Sequence, residues 1–216
     1  LKLKTELKMK NKLIKLWLCM GILYFIFLIW NGLFTRPLSA QEIEKYTEIL
    51  QQDYSESEFQ QMRTFMEEDD GKPIIMVNVI KTNDIPKTVN GKTFASSEEA
   101  LADYTNFVGP FLIKRGSYPI FNGTSLMDAP EVWGIENARE WTTGSLVRYK
   151  SRRVMLELST NPEFRKFHDC KVAGIEKTFA FPVSANIHLV NLSLFVAMFL
   201  MVIGLTISLF IIKKAK

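Results

Sequence analysis

Two long apolar stretches, one near each end, frame this chain, and shorter apolar runs alternate with polar ones between them. Leu16–Trp30 is apolar throughout and continues past Asn31 and Gly32 into Leu33 and Phe34. Leu189–Ile212 is broken only by Asn191, Ser193, Gly204, Thr206 and Ser208. About 20 apolar residues cross a bilayer as a helix, so transmembrane helices are expected over residues 16–34 and 189–212. Within residues 35–70, Ile43, Tyr46 and Leu50 share one helical face, and Phe59, Met62 and Phe65 share another behind the capping box Ser55-x-x-Glu58. This predicts two short amphipathic helices, both acidic. Ile74–Ile80 is apolar apart from Asn78, a short run without alternation that fits a strand covered on both faces.

The remaining pattern completes a domain over residues 71–187. After a polar loop, Ser96-x-x-Glu99 opens a helix with Leu101, Tyr104, Val108 and Leu112 on one face, which Gly109-Pro110 should kink or divide. Tyr118–Thr124 and Ser145–Lys150 read as strands. A helix from Arg152 breaks at Asn161-Pro162 and resumes through Phe164, Val172 and Ile175; Thr178–Val183 then alternates as a last strand. The order is strand, helix, strand, strand, helix, strand. It is the split βαβ order of a ferredoxin-like α+β sandwich, in which both helices cover one sheet face. An apolar second face left open would present a large hydrophobic patch to water, so a homodimer closing sheet on sheet is expected.

Charge orients the apolar segments. Lys2, Lys4, Lys8, Lys10, Lys12 and Lys15 precede the first, and Lys213, Lys214 and Lys216 follow the second. Cationic flanks stay on the cytoplasmic side, so residues 1–15 and 213–216 are expected to be basic cytoplasmic tails. The central domain is then extracytoplasmic, in a two-span protein of the cell membrane. Those tails hold nine lysines and one glutamate, leaving eighteen basic and twenty-two acidic residues elsewhere. The formal net charge of +4 is therefore topogenic and gives no reason to expect a nucleic-acid partner. A signal peptide cleaved after Leu38-Ser39-Ala40 is the rival reading of the first segment; its long n-region and hydrophobic stretch favour a retained anchor. Cys19 and Cys170 are the only cysteines, so the domain packs without an internal disulfide.

Residues 68–185 resemble an uncharacterised branch, a domain-of-unknown-function family, of the dimeric α+β barrel superfamily. The resemblance lies in Asp69-Asp70-Gly71-Lys72-Pro73-Ile74-Ile75-Met76-Val77-Asn78 and in Leu146-Val147-Arg148-Tyr149-Lys150-Ser151-Arg152-Arg153. It continues through Asn161-Pro162-Glu163-Phe164, His168 and Lys171-Val172-Ala173-Gly174-Ile175-Glu176-Lys177-Thr178. It implies a ferredoxin-like protomer that pairs sheet to sheet in a bacterial protein. The superfamily includes haem enzymes, cofactor-free monooxygenases, isomerases and plain ligand-binding modules, so membership transfers no activity.

Candidate chemistry is sparse. Asn78 is a single amide in an apolar strand and must be hydrogen-bonded or face a wet cavity; Tyr104 and Tyr149 are candidates to line that cavity with it. Arg148, Lys150, Arg152 and Arg153 form a basic cluster, extended by Lys171 and Lys177. This cluster reads either as a site for an anion or lipid headgroup or as a strand end salt-bridged to the acidic helices of residues 41–70. The resemblance to a superfamily with haem members makes His168 the candidate haem ligand, against the plainer reading of a polar helix residue beside Asp169. One histidine and one cysteine cannot hold zinc, and Cys170 reads as a packed thiol without an oriented base. The run Glu67-Glu68-Asp69-Asp70 lacks EF-hand spacing and reads as a solvated helix end. The expected ligand-binding residues are Asn78, Tyr104, Arg148, Tyr149 and His168, with no catalytic residue, cofactor or metal assigned. The expected function is a membrane-tethered barrel that binds a small amphipathic molecule or a protein partner. The alternative is a cofactor-independent monooxygenase or isomerase in which Asn78, Tyr104 and His168 polarise the substrate; haem binding through His168 comes third.

Overall fold

The computed structural model describes residues 2–186 and 191–215. Leu189 and Val190, the start of the second expected span, lie outside the described residues, as does Lys216. In chain order the elements are α1 (Lys2–Asn31), α2 (Ala40–Leu50), α3 (Glu56–Glu67), β1 (Ile74–Thr82), α4 (Ser97–Lys114) and β2 (Tyr118–Thr124). They continue with β3 (Thr143–Tyr149), α5 (Arg152–Ser159), α6 (Pro162–Gly174), β4 (Ile175–Val183) and α7 (Leu192–Ala215). The chain forms two compact units, one from the terminal segments and one from Thr35–Asn186.

In the terminal unit, α1 and α7 are each long and apolar enough to cross a membrane. They pack antiparallel. Asn31 Nδ2 donates to Ser193 Oγ at 2.8 Å, and the Trp17 ring sits against Gly204, where a Cβ would meet it at 2.9 Å. A small residue thus admits close approach of the two helices. The basic N-terminal tail is itself helical, so Lys8 and Lys12 stand beside Lys214 at one end of the pair.

The central unit is a mixed α+β domain built on a four-stranded sheet of order β2-β3-β1-β4, every neighbouring pair antiparallel. Strand alternation sends Ile74, Met76 and Asn78 to one face and Ile75, Val77 and Val79 to the other. The first face is the inner one. Ile74 and Tyr149 pack with Val108 and Leu112 of α4 and Val154 and Leu158 of α5, flanked by Met76, Val147 and Phe164. Full burial of such side chains stabilises by roughly 1.5–3 kcal/mol each. A second cluster, Leu38, Tyr46, Leu50, Met66 and Leu156, fastens α2 and α3 onto α5.

Caps and junctions hold these layers in register. Ser39 and Glu42 form a capping box on α2, as Ser55 and Glu58 do on α3. Pro110 neither divides nor ends α4, which runs unbroken from Ser97 to Lys114; one missing N–H costs a long, well-packed helix a single internal bond. The acidic run after α3 departs from its expected solvation at Asp69. Its carboxylate is buried, accepts from Leu38 N at 2.9 Å and Gly71 N at 3.1 Å, and lies 3.7 Å from Arg152 Nε. Gly71 has φ +73°, and a Cβ there would stand 2.7 Å from the Arg36 backbone. Only glycine fits that turn.

The outer sheet face stays largely apolar and open. Val77 pairs with Leu146 and Phe181, and Val79 with Phe179. Phe121, Phe179 and Phe181 are 55%, 40% and 50% exposed, the proportions of a surface that lacks a cover rather than of a core.

Candidate functional site

A cleft of about 530 Å³ in the central unit opens on the inner side of the sheet. Its floor is Met76 and Asn78 of β1, Tyr149 of β3, and Ala180 and Pro182 of β4. Its walls are Tyr104 of α4, Met155 and Leu158 of α5, and Phe164, His168 and Lys171 of α6; α3 closes it with Met62 and Phe65. The helical residues 164, 168 and 171 recur at intervals of four and three, one stripe of α6 turned toward the sheet.

Four of the five sequence-predicted residues therefore meet here: Asn78, Tyr104, Tyr149 and His168. Asn78 Nδ2 donates to the Met76 carbonyl of its own strand at 3.2 Å, which leaves its amide oxygen for the cleft. Burial raises the Tyr104 hydroxyl to about 12 and pushes Tyr149 up as well, aided by Tyr104. Both remain neutral phenols able to donate a hydrogen bond. The His168 ring is 5.6 Å from that of Phe164. Its pKa is lowered, first by the surrounding protein displacing water and then by the charge of Lys171. Although the residue as a whole is exposed at the rim, its imidazole is a neutral donor and acceptor at pH 7.

Arg148, expected to bind a ligand through the basic cluster, is instead a structural residue outside the cleft. It lies on the other face of β3, buried, with Nη1 donating to the Gly116 carbonyl at 3.1 Å and its guanidinium 5.2 Å from the Tyr118 ring. Two of its neighbours in the basic cluster, Arg153 and Arg152, are structural too. Arg153 holds Glu42 through Nε at 2.7 Å and Nη2 at 3.0 Å, and donates to the carbonyls of Arg36 and Pro37. Arg152 donates to the Phe65 carbonyl beside Asp69. The cluster thus ties the acidic helices to α5.

Lys171 was visible in the sequence only as an outlying member of that basic cluster, yet it belongs to the cleft. Its spacing from His168, three residues along one helix, was the available signal. The ammonium lies 5.7 Å from the Tyr104 ring centroid, and burial lowers its pKa. Among the described residues no three His, Cys, Asp or Glu side chains converge on a metal position.

Comparison with known proteins gives a likeness of fold. Neither a family model nor a curated protein matches the chain. The crystal structure of the RPA0582 protein of Rhodopseudomonas palustris, a protein of unknown function, matches at 20% identity with a TM-score of 0.50, covering 63% of this chain and 97% of that one. The methylated RPA0582 protein matches at 20% identity with a TM-score of 0.51, covering 64% of this chain and 96% of that one.

Proposed function

We propose that this chain is a membrane-anchored receptor domain whose cleft binds a small amphipathic molecule. The observation that carries this reading is the make-up of the cleft: an apolar floor and walls with a few polar groups converging from β1, β3, α4 and α6. That combination is how small-molecule sites are usually built. Strand order and helix placement support a ferredoxin-like domain in the manner of the dimeric α+β barrels. The open outer face, with Val77, Leu146, Phe179 and Phe181, supports a homodimer closed sheet on sheet. The antiparallel α1–α7 pair, with lysines gathered at one end, supports cytoplasmic termini and an extracytoplasmic domain. The test is mass spectrometry of small molecules released from protein purified out of membranes. A compound recovered with wild type and lost in Ala180→Trp, which fills the cleft, is expected; identical extracts from both proteins would remove the reading.

A cofactor-independent enzyme is the second reading, and the grouping of His168, Lys171 and Tyr104 in one cleft favours it. A neutral imidazole beside an ammonium is suited to taking a proton from a bound substrate. Ligand captured by His168→Ala should then change mass when wild-type protein is added. An unchanged mass leaves binding alone.

A further inference from the structure

The half-buried lysine of the cleft bears on the kind of head group it takes. Four lysines elsewhere in the domain are answered by carboxylates: Lys72 by Asp70, Lys81 by Glu140, Lys92 by Asp103 and Lys166 by Glu163. Lys171 is half-buried among Tyr104, Phe164 and Met155 and, among the described residues, has no acidic partner; its ammonium lies against the Tyr104 ring. Two carboxylates, one close in sequence and one across the cleft, are hydrogen-bonded to neutral groups, and neither is ion-paired to Lys171 among the described residues. Glu58, on α3, lines the same cleft and keeps its charge, but its carboxylate is turned to the start of its own helix, accepting from Ser55 N at 3.0 Å and Ser55 Oγ at 2.6 Å. Asp169, next to His168, accepts from Asn90 at 2.5 Å. The other titratable groups lining the cleft are His168, Tyr54, Tyr104 and Tyr149, none of which supplies a negative charge at pH 7. An ammonium taken out of water without a counter-ion is costly, and a ligand that brings the counter-ion recovers that cost on binding.

We propose that the cleft selects a small organic acid, its single carboxylate paired with Lys171 and hydrogen-bonded by Tyr104 or His168, its apolar body lying along Met76, Met155 and Phe65. One cation without a second beside it matches a monoanion better than a phosphate dianion. This rests on the cleft being a ligand site, and it adds the sign and number of the ligand's charge.

Calorimetry with the full chain in neutral phosphatidylcholine nanodiscs separates the two claims. The probes are 4-phenylbutyrate, 4-phenylbutanol and 4-phenylbutylammonium, which share one apolar body, with empty nanodiscs as the blank. The acid should bind about tenfold or more tighter than the alcohol, as a desolvated charge-assisted pair requires, and the ammonium most weakly. Lys171→Met should bind acid and alcohol alike while still binding the alcohol, and Lys171→Arg should keep the preference for the acid. Equal binding of acid and alcohol by wild type, or a preference that survives in Lys171→Met, overturns the anion inference and leaves the cleft as a neutral-ligand site. Failure of all three probes to bind overturns both claims.

Discussion

Lys171 and His168 each sit where the fold disfavours their charged forms, and this gives the domain a defined response to pH. Burial lowers Lys171 below its ordinary 10.5. Desolvation and the Lys171 charge lower His168 below 6.5. For both, the unfolded chain binds more protons than the native one between the two pKa values, so native stability falls as pH drops through that interval. For His168 the loss sets in as pH falls from 6.5 and is complete below its native value. Wild type should therefore lose thermal midpoint over mildly acidic pH more steeply than His168→Gln, measured by circular dichroism on the same buffers. In Lys171→Met the His168 pKa should rise, read from its imidazole NMR signals; an unmoved value would separate the two side chains. Asn78, Tyr104 and Tyr149 were legible in the sequence because a polar group in an apolar strand needs a partner or a cavity. Arg148 stands apart from the cleft, as the strand alternation that puts it opposite Tyr149 requires.

At the scale of elements, β1 carries the sharpest contrast. An apolar run conceals its parity, and the structure resolves it: Met76 packs with the helices, while Val77 lies on the open face. Ile74→Asp, on the Met76 face and packed in the core, buries an unpaired carboxylate, costing several kcal/mol against a total stability of about 5–15 kcal/mol, and should not fold. Val77→Asp should fold with native circular dichroism and sediment as a monomer, in contrast to the dimer proposed for wild type. Equal folding of the two would contradict the layer assignment. The join of α2 to α5 is also testable. Arg153 holds Glu42 at about 2, chiefly by hydrogen bonding to it. Stability from this pair is present above 4.5 and lost as pH falls through about 2. Glu42→Gln should lower stability by about 1 kcal/mol at pH 7, as a bidentate pair at a partly buried site would, with a smaller difference from wild type at pH 2.5 in urea unfolding. Capping boxes and the break at Pro162 were readable because each is a local signal. The intact α4 was not, since packing along its length outweighs one proline, and the burial of Asp69 was not, because its partner Leu38 lies far back in the chain.

For the whole molecule, the order of elements and the two apolar helices could be read from periodicity alone, because each depends on a run of residues. Which side chains share a cleft depends on how α3, α6 and β4 converge, and no run in the sequence encodes that. The proposed topology predicts that an alkaline phosphatase fusion after Ala185 is active and one after Lys216 inactive; the reverse pattern would place the domain in the cytoplasm. The central claim, that the inner cleft is a ligand site, is tested most directly by its own methionines. Met62, Met76 and Met155 line the cleft, Met66 is buried in the other core and Met127 is exposed on a loop. Carbon-13 methyl spectra of the full chain in nanodiscs, titrated in turn with 4-phenylbutyrate and 4-phenylbutanol, should move Met62, Met76 and Met155 together and leave Met66 and Met127 in place. Shifts confined to Met9, Met20, Met198 and Met201 of the apolar helices, or no saturable shift at the three cleft methyls, would contradict it.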